Sequence, residues 1–261
     1  MISALLSGGL VGFSLGLIGG GGSILATPLL LYVIGVPQPH VAIGTGALAV
    51  SMNAFANFLG HARSGNVRWR CAFIFAGVGT LGALAGSTLG KLVDGERLLF
   101  LFGLVMILVG VVMLRPKPKF AAVERPMNLR TGLITAAVAL GTGMASGFFG
   151  IGGGFLIVPG LVLATGMPMI SAIGSSLLAV GSFGLATALN YAASGLVDWA
   201  VAFQFIAGGV IGGLLGMRLA NRLSAGKNAL TRIFAGVIFV VAAYVLYRSA
   251  GAFLGGAAGA A

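Results

Sequence analysis

The sequence predicts an all-α integral membrane protein built from two repeats of inverted topology, each a glycine-broken helical hairpin followed by three transmembrane helices. Composition gives the first reason, because 58% of the residues are apolar, 7% are charged and the mean hydropathy is +1.10. Water cannot solvate such a chain, so we expect it to span a lipid bilayer.

Internal repetition gives the other two reasons. The run Gly19–Ser23, followed by Pro28, recurs as Gly150–Gly154, followed by Pro159. Residues 42–69 match residues 172–199 with 13 identities in 28 positions. Chance similarity of apolar helices would not keep glycine and tryptophan in register, so the halves are expected to be duplicates.

Apolar segment lengths define the predicted elements. The segments on either side of Gly19–Ser23 are shorter than the roughly 20 residues of a straight crossing, which favours a hairpin bent at the glycines. A polar linker with three prolines, residues 115–130, separates a first repeat, residues 1–114, from a second, residues 131–261. The predicted apolar segments are 2–18, 24–36, 40–62, 70–91 and 97–114, then the interrupted stretch 131–165, and then 170–192, 199–220 and 230–248.

The basic residues predict the topology. If each broken segment returns to its starting side, the gaps 63–70, 115–130 and 218–232 share one face and hold 12 of the 15 Lys and Arg residues. A single broken crossing would split them 9 to 6. The positive-inside rule therefore favours the hairpin, with the linker in the cytoplasm, both termini outside and the halves inverted.

Several classes of function are not expected. The basic residues lie between apolar runs, where lipid head groups and topology explain them, so no nucleic-acid partner is expected. All four acids fall in or beside loops, and no metal-ligand cluster, Gly-Lys-Ser/Thr motif or catalytic constellation occurs in the sequence. We therefore predict neither an enzyme nor a bound metal or cofactor.

The glycine runs are candidate anion sites. A helix that begins near Ser23 offers backbone N–H groups and the positive end of its dipole, and glycine lets an anion approach closely. Two such starts facing each other across a pseudo-twofold axis would form one cradle. The alternative is that the glycines only allow tight helix packing. The candidate backbone positions are Gly19, Gly20, Gly21, Gly22, Gly150, Gly152, Gly153 and Gly154.

A few polar side chains inside the apolar segments complete the predicted site. Their hydroxyls and amides suit an oxyanion, although hydrogen bonding between helices is the alternative for each. His61, beside Arg63, is interpreted as an interfacial histidine at a helix end rather than as a substrate ligand or proton relay. The candidate substrate-binding side chains are Ser23, Thr45, Asn53, Asn57, Ser175, Ser176 and Asn190.

The paired motifs resemble the TauE/SafE family of sulfite exporters over about residues 5–247. Ala42-Ile43-Gly44-Thr45 and its partner Ala172-Ile173-Gly174-Ser175 carry the resemblance together with the glycine runs. The resemblance implies a transporter that exports sulfite or a small organosulfonate such as sulfoacetate across the bacterial inner membrane. The second half departs from the first in having Gly154 where Ser23 stands.

The predicted function is therefore alternating-access export of a small sulfur oxyanion by a multi-pass inner-membrane protein with both termini in the periplasm. An anion channel of the same fold is one alternative. A membrane subunit that anchors a soluble partner through the linker is another. The sequence leaves open the identity of the anion, the coupling ion and whether the chain forms a homodimer.

Overall fold

A computed structural model of the chain describes residues 2–114, 128–150, 154–222, 236 and 239–248. These residues are helical and contain no strand, which confirms the all-α prediction. Five helices are long and apolar enough to cross a membrane: Pro39–Arg63, Trp69–Leu92, Leu129–Phe149, Ile170–Ala192 and Trp199–Ala220. The predictions for residues 115–127, Gly152, Gly153 and most of 230–238 lie outside the described residues.

The helices follow the predicted order closely. Their bounds are α1 Ile2–Ile18, α2 Gly20–Ile34, α3 Pro39–Arg63, α4 Trp69–Leu92, α5 Gly95–Leu114, α6 Leu129–Phe149, α7 Gly154–Thr165, α8 Met169–Ala192, α9 Trp199–Arg222 and α10 Phe239–Arg248.

Glycines in the left-handed region bend the chain where the broken segments were predicted. Gly19, with φ of 76°, separates α1 from α2, and Gly150, with φ of 66°, ends α6. The left-handed region is strained for residues that carry a Cβ, which explains glycine at both bends. Gly35 and Gly166, with φ of 84° and 70°, end α2 and α7 in the same way.

α2 folds back along α1. It begins as a 3-10 helix over Gly20–Leu25, continues as an α-helix and ends as a π-helix over Leu30–Ile34, and all three parts contact α1. A Cβ at Gly22 would lie 2.6 Å from the backbone nitrogen of Leu15, so only glycine allows the return to pack this closely. α7 is 12 residues long, near 18 Å, and is too short for a straight crossing.

α3 and α8 cross at the centre of the bundle, where the Ser51 hydroxyl donates to the Gly181 carbonyl over 2.7 Å. α9 packs on α1 and α3, and α4 packs on α6 and α8. Exchanging α1, α3 and α4 for α6, α8 and α9 leaves these pairings unchanged. The two halves therefore interlock through equivalent contacts.

Glycines let the paired helices meet backbone to backbone. On the α1–α9 contact a Cβ at Gly12 would collide with the backbone of Gly209. On the α4–α6 contact a Cβ at Gly143 would collide with the backbone of Gly79. Small residues serve this purpose in membrane bundles, where close van der Waals packing drives association.

Candidate functional site

The two glycine bends lie near opposite ends of α8. Gly19 packs on Ile173 in the first turns of α8, with a Cβ position 3.2 Å from the Ile173 Cγ2. Gly150 packs on Ile43, which clusters with Tyr191 at the end of α8. Eighteen residues of helix separate Ile173 from Tyr191, about 27 Å. The bends themselves therefore do not face each other, although residues 20–25 do contact α7.

Polar side chains surround the first bend. The Ser176 Oγ lies 3.2 Å from the Cβ position of Gly19, and the Asn57 Oδ1 lies 2.9 Å from that of Gly16, one turn earlier. Ser23 is fully buried and its hydroxyl donates to the Gly20 carbonyl over 2.7 Å. The structure thus brings four predicted site residues together: Gly19, Ser23, Ser176 and Asn57.

One face of α3 continues this polar cluster. Asn53, Asn57 and His61 recur every four residues, so they lie on one side of the helix. Asn53 and His61 are 0% exposed and Asn57 is 3% exposed. The Asn57 amide donates to the Asn53 carbonyl over 2.9 Å. Both side-chain polar atoms of Asn53 and the Nδ1 of His61 are buried without a hydrogen-bond partner.

The interpretation of His61 as an interfacial residue is wrong. Its ring is fully buried, and Nε2 lies 3.5 Å from the Gly16 carbonyl oxygen of α1. It is buried because the glycines of α1 and α9 let these helices close over the end of α3. The four-residue spacing of His61 from Asn57 and of Asn57 from Asn53 was the sequence pattern that could have indicated that His61 lies on the same buried face of α3.

Different side chains lie around the second bend. The positions equivalent to Ser176 and Asn57 are Gly46 and Thr187, and the position equivalent to His61 is Tyr191. Thr187 and Tyr191 are fully buried with unpaired hydroxyls. Gly154 begins α7, as expected for a helix start after the second glycine run.

Thr45 and Ser175 connect the halves through a matched pair of hydrogen bonds. The Ser175 Oγ accepts from the backbone N–H of Arg68, just before α4, and the Thr45 Oγ1 accepts from that of Asp198, just before α9, both over 2.9 Å. Both hydroxyls are fully buried. Each satisfies a helix-start donor of the opposite half.

Thr45→Val and Ser175→Ala are each expected to lower the free energy of unfolding by about 1 kcal/mol, because each leaves a backbone N–H unpaired. Thermal unfolding of the two variants and the wild type in detergent measures this loss of stability. Ser182→Ala is the control, since that hydroxyl bonds only the Leu178 carbonyl of its own helix. Unfolding of both variants at the wild-type temperature would contradict the assignment.

Asn190 belongs to a separate cluster. Its Oδ1 accepts from Lys91 Nζ over 2.8 Å, and its Nδ2 donates to the Ser87 Oγ over 2.7 Å. Lys91 also donates to the Ser194 Oγ over 3.0 Å. Fourteen helical residues, about 21 Å, separate Asn190 from Ser176. This geometry favours a role for Asn190 in joining α4 to α8, away from the first bend.

No group of three or more His, Cys, Asp or Glu side chains that could hold a metal ion occurs among the described residues.

Comparison with known proteins gives the family. The profile described as "Sulfite exporter TauE/SafE" matches residues 4–245. A "Probable membrane transporter protein" of Xylella fastidiosa strain Temecula1 is 61% identical over 250 residues, which cover 95% of this chain and 96% of that protein. The "Probable membrane transporter protein YunE" of Bacillus subtilis is 27% identical over 268 residues, covering 92% and 95%. No solved structure matches the chain.

These relatives are named for transport, and the family profile covers residues 4–245, a range that includes both glycine bends and the α3–α8 crossing. The chain belongs to the sulfite exporter TauE/SafE family and is a multi-pass membrane transporter.

Proposed function

We propose that the protein exports sulfite or a small organosulfonate across the bacterial inner membrane by alternating access. The observation that carries the proposal is the first bend, where a helix of glycine backbone starts in the interior beside Ser176 and Asn57. Backbone N–H groups and neutral side chains can hold an oxyanion there without a buried Lys or Arg. The printed description of the family supplies the substrate class.

The equivalent contacts of the two halves support alternating access. Inverted repeats in secondary transporters let one bundle rock against the other around a fixed site. In this proposal residues 1–114 and 131–261 are the inverted repeats, and residues 115–130 are the cytoplasmic linker between them. The helix pairings on either side of the Ser51–Gly181 hydrogen bond stay the same when the two halves are exchanged, as expected for two inverted repeats.

The position of the first bend suits an exporter. It lies at the end of the bundle where α3 ends and α4 begins, the same end that carries the exposed Arg63, Arg68 and Arg70. The positive-inside rule assigns that end to the cytoplasm and the termini to the periplasm. An anion that leaves an inside-negative cell gains about 2.3 kcal/mol per charge per 100 mV, which favours export.

Purified protein in liposomes loaded with sulfite is expected to release it faster than protein-free liposomes, and sulfoacetate loaded together with the sulfite is expected to slow that release by competing for the same site. Release is measured as sulfite appearing outside. Chloride-loaded vesicles control for general leakage. A wild-type rate equal to that of protein-free liposomes, for both sulfite and sulfoacetate, would overturn the proposal.

A further inference from the structure

The polar face of α3 carries more unmet hydrogen-bonding capacity than its packing explains. Asn53 places its amide against Gly209 of α9, and Asn57 lies against Gly213 of the same helix. Glycine there offers no side chain that could pair with either amide. Buried polar groups normally have partners, and each that lacks one lowers stability. Selection for stability alone would therefore be expected to replace these unpaired polar groups with apolar ones.

The corresponding face of α8 shows that the helix crossing does not need an amide at the position of Asn53. The positions equivalent to Asn53, Asn57 and His61 are Phe183, Thr187 and Tyr191. Phe183 is fully buried and stacks on Phe75 of α4, with ring centroids 6.3 Å apart. The same packing position is thus filled by an aromatic ring in one half and by an unpaired amide in the other.

The protonation of His61 follows from its contacts. A carbonyl oxygen only accepts hydrogen bonds, so the contact of Nε2 with the Gly16 carbonyl favours the neutral tautomer that carries its proton on Nε2. Nδ1 then presents a lone pair, and it has no donor partner. An oxyanion oxygen is also an acceptor, so His61 Nδ1 and an anion oxygen can form a hydrogen bond only if a proton lies between them.

The surroundings of His61 supply no other counter-charge in the described residues. α1 contains no ionisable side chain, and α2 contains only Tyr32. On α9 the described ionisable side chain is Arg218, which is exposed, and Arg63 at the end of α3 is also exposed. On α8 it is Tyr191, at the far end from His61. A protonated ring in this position would therefore gain a negative partner only from a bound anion.

We propose that Asn53, Asn57 and His61 bind the oxyanion together with one proton, which is held between His61 Nδ1 and an anion oxygen. The proposal rests on the proposed function and adds three substrate-binding side chains that all lie on α3, in the first half. The anion and proton enter as a charge-balanced unit, so the site needs neither a lysine nor a carboxylate. The membrane potential, which favours export of an anion without a proton, would neither favour nor oppose export of this unit. The proton comes from solution for either monoanion, an organosulfonate or hydrogensulfite, so that the pair of anion and protonated His61 is neutral.

Proton uptake on binding tests this directly. Methanesulfonate is the probe because it is the anion of a strong acid and brings no proton. Calorimetric titration in two buffers of different ionisation enthalpy, at a pH above the ordinary histidine value of about 6.5, gives the protons bound per anion. Wild type is expected to take up about one proton per anion, as one imidazole accepts one. His61→Gln, which can keep the bond to Gly16, is expected to take up none.

Tyr191→Phe is the matched control at the equivalent position and is expected to keep the wild-type proton uptake. Equal uptake by wild type and His61→Gln overturns the proposal. Failure of wild type to bind methanesulfonate, when it exports sulfite, overturns it as well. Failure of wild type to bind or export any of these anions instead overturns the proposed function.

Asn53→Leu separates a binding role from a structural one. Leucine has nearly the shape of asparagine and removes two unpaired polar atoms, so the melting temperature is expected to stay the same or rise. Sulfite efflux is expected to fall by about tenfold or more, because the amide no longer binds the anion. Thr187→Val, which removes an unpaired hydroxyl from α8, is the control and is expected to keep its efflux. Wild-type efflux by Asn53→Leu would contradict the proposal.

Discussion

Gly143→Ala is expected to destabilise the protein by about 3 kcal/mol, the upper end of the usual cost of overpacking. The added Cβ would collide with the backbone of Gly79 on α4. A flexible side chain could move aside, but a helix backbone cannot do so without separating α4 from α6. The close contact of these helices would be lost along their whole length.

Gly141→Ala is the matched control two residues away on the same helix. No atom lies within 4 Å of its Cβ position, and the residue is exposed. Alanine there is expected to stabilise by up to about 1 kcal/mol through its higher helix propensity. Thermal unfolding in detergent, together with the yield of monodisperse protein, measures both variants. Equal melting temperatures would show that α4 and α6 do not meet as described.

Gly22→Ala is expected to reduce sulfite efflux by about tenfold or more, the result of losing one charge-assisted hydrogen bond or more at the bend. The new Cβ would lie 2.6 Å from the Ser14 Cβ and from the Leu15 nitrogen. α2 would therefore move away from α1, and the helix start would no longer point at the anion. Efflux from liposomes, normalised to the amount of folded protein, measures the loss.

Gly9→Ala controls for the general effect of a methyl group on this hairpin. The nearest atom to its Cβ position is the Gly208 carbonyl oxygen at 3.6 Å, an ordinary contact. Its efflux is expected to equal that of wild type. A Gly22→Ala protein that is folded and exports sulfite at the wild-type rate would exclude the first bend as the anion site.

The fold was largely predictable because its elements are encoded locally. Apolar run length and the positions of glycine and proline set the helix bounds, so α3 was predicted at 40–62 and occurs at Pro39–Arg63. The interruption at Gly19 was predictable for the same reason, since no other residue adopts its backbone angles freely. The 3-10 start of α2 at Gly20, before Ser23, was not evident from these patterns.

The arrangement of the site depends on distant packing and was harder to predict. Nothing near Asn190 in sequence indicates that Lys91, about a hundred residues away, would bind it. Likewise, Arg63 suggested an interface for His61, whereas the glycines of α1 and α9 bury it. The separation of the two bends follows from how α3 and α8 cross, and a repeat pattern alone does not define that crossing.

Counterflow of sulfite tests alternating access at this bend most directly. Liposomes that contain the wild-type protein are preloaded with unlabelled sulfite or left without it, and the initial uptake of radiolabelled sulfite is compared. A carrier returns faster when it is loaded, so preloading is expected to accelerate uptake in wild type and not in Gly22→Ala. Equal uptake with and without internal sulfite in the wild-type protein would contradict a carrier and indicate an anion channel.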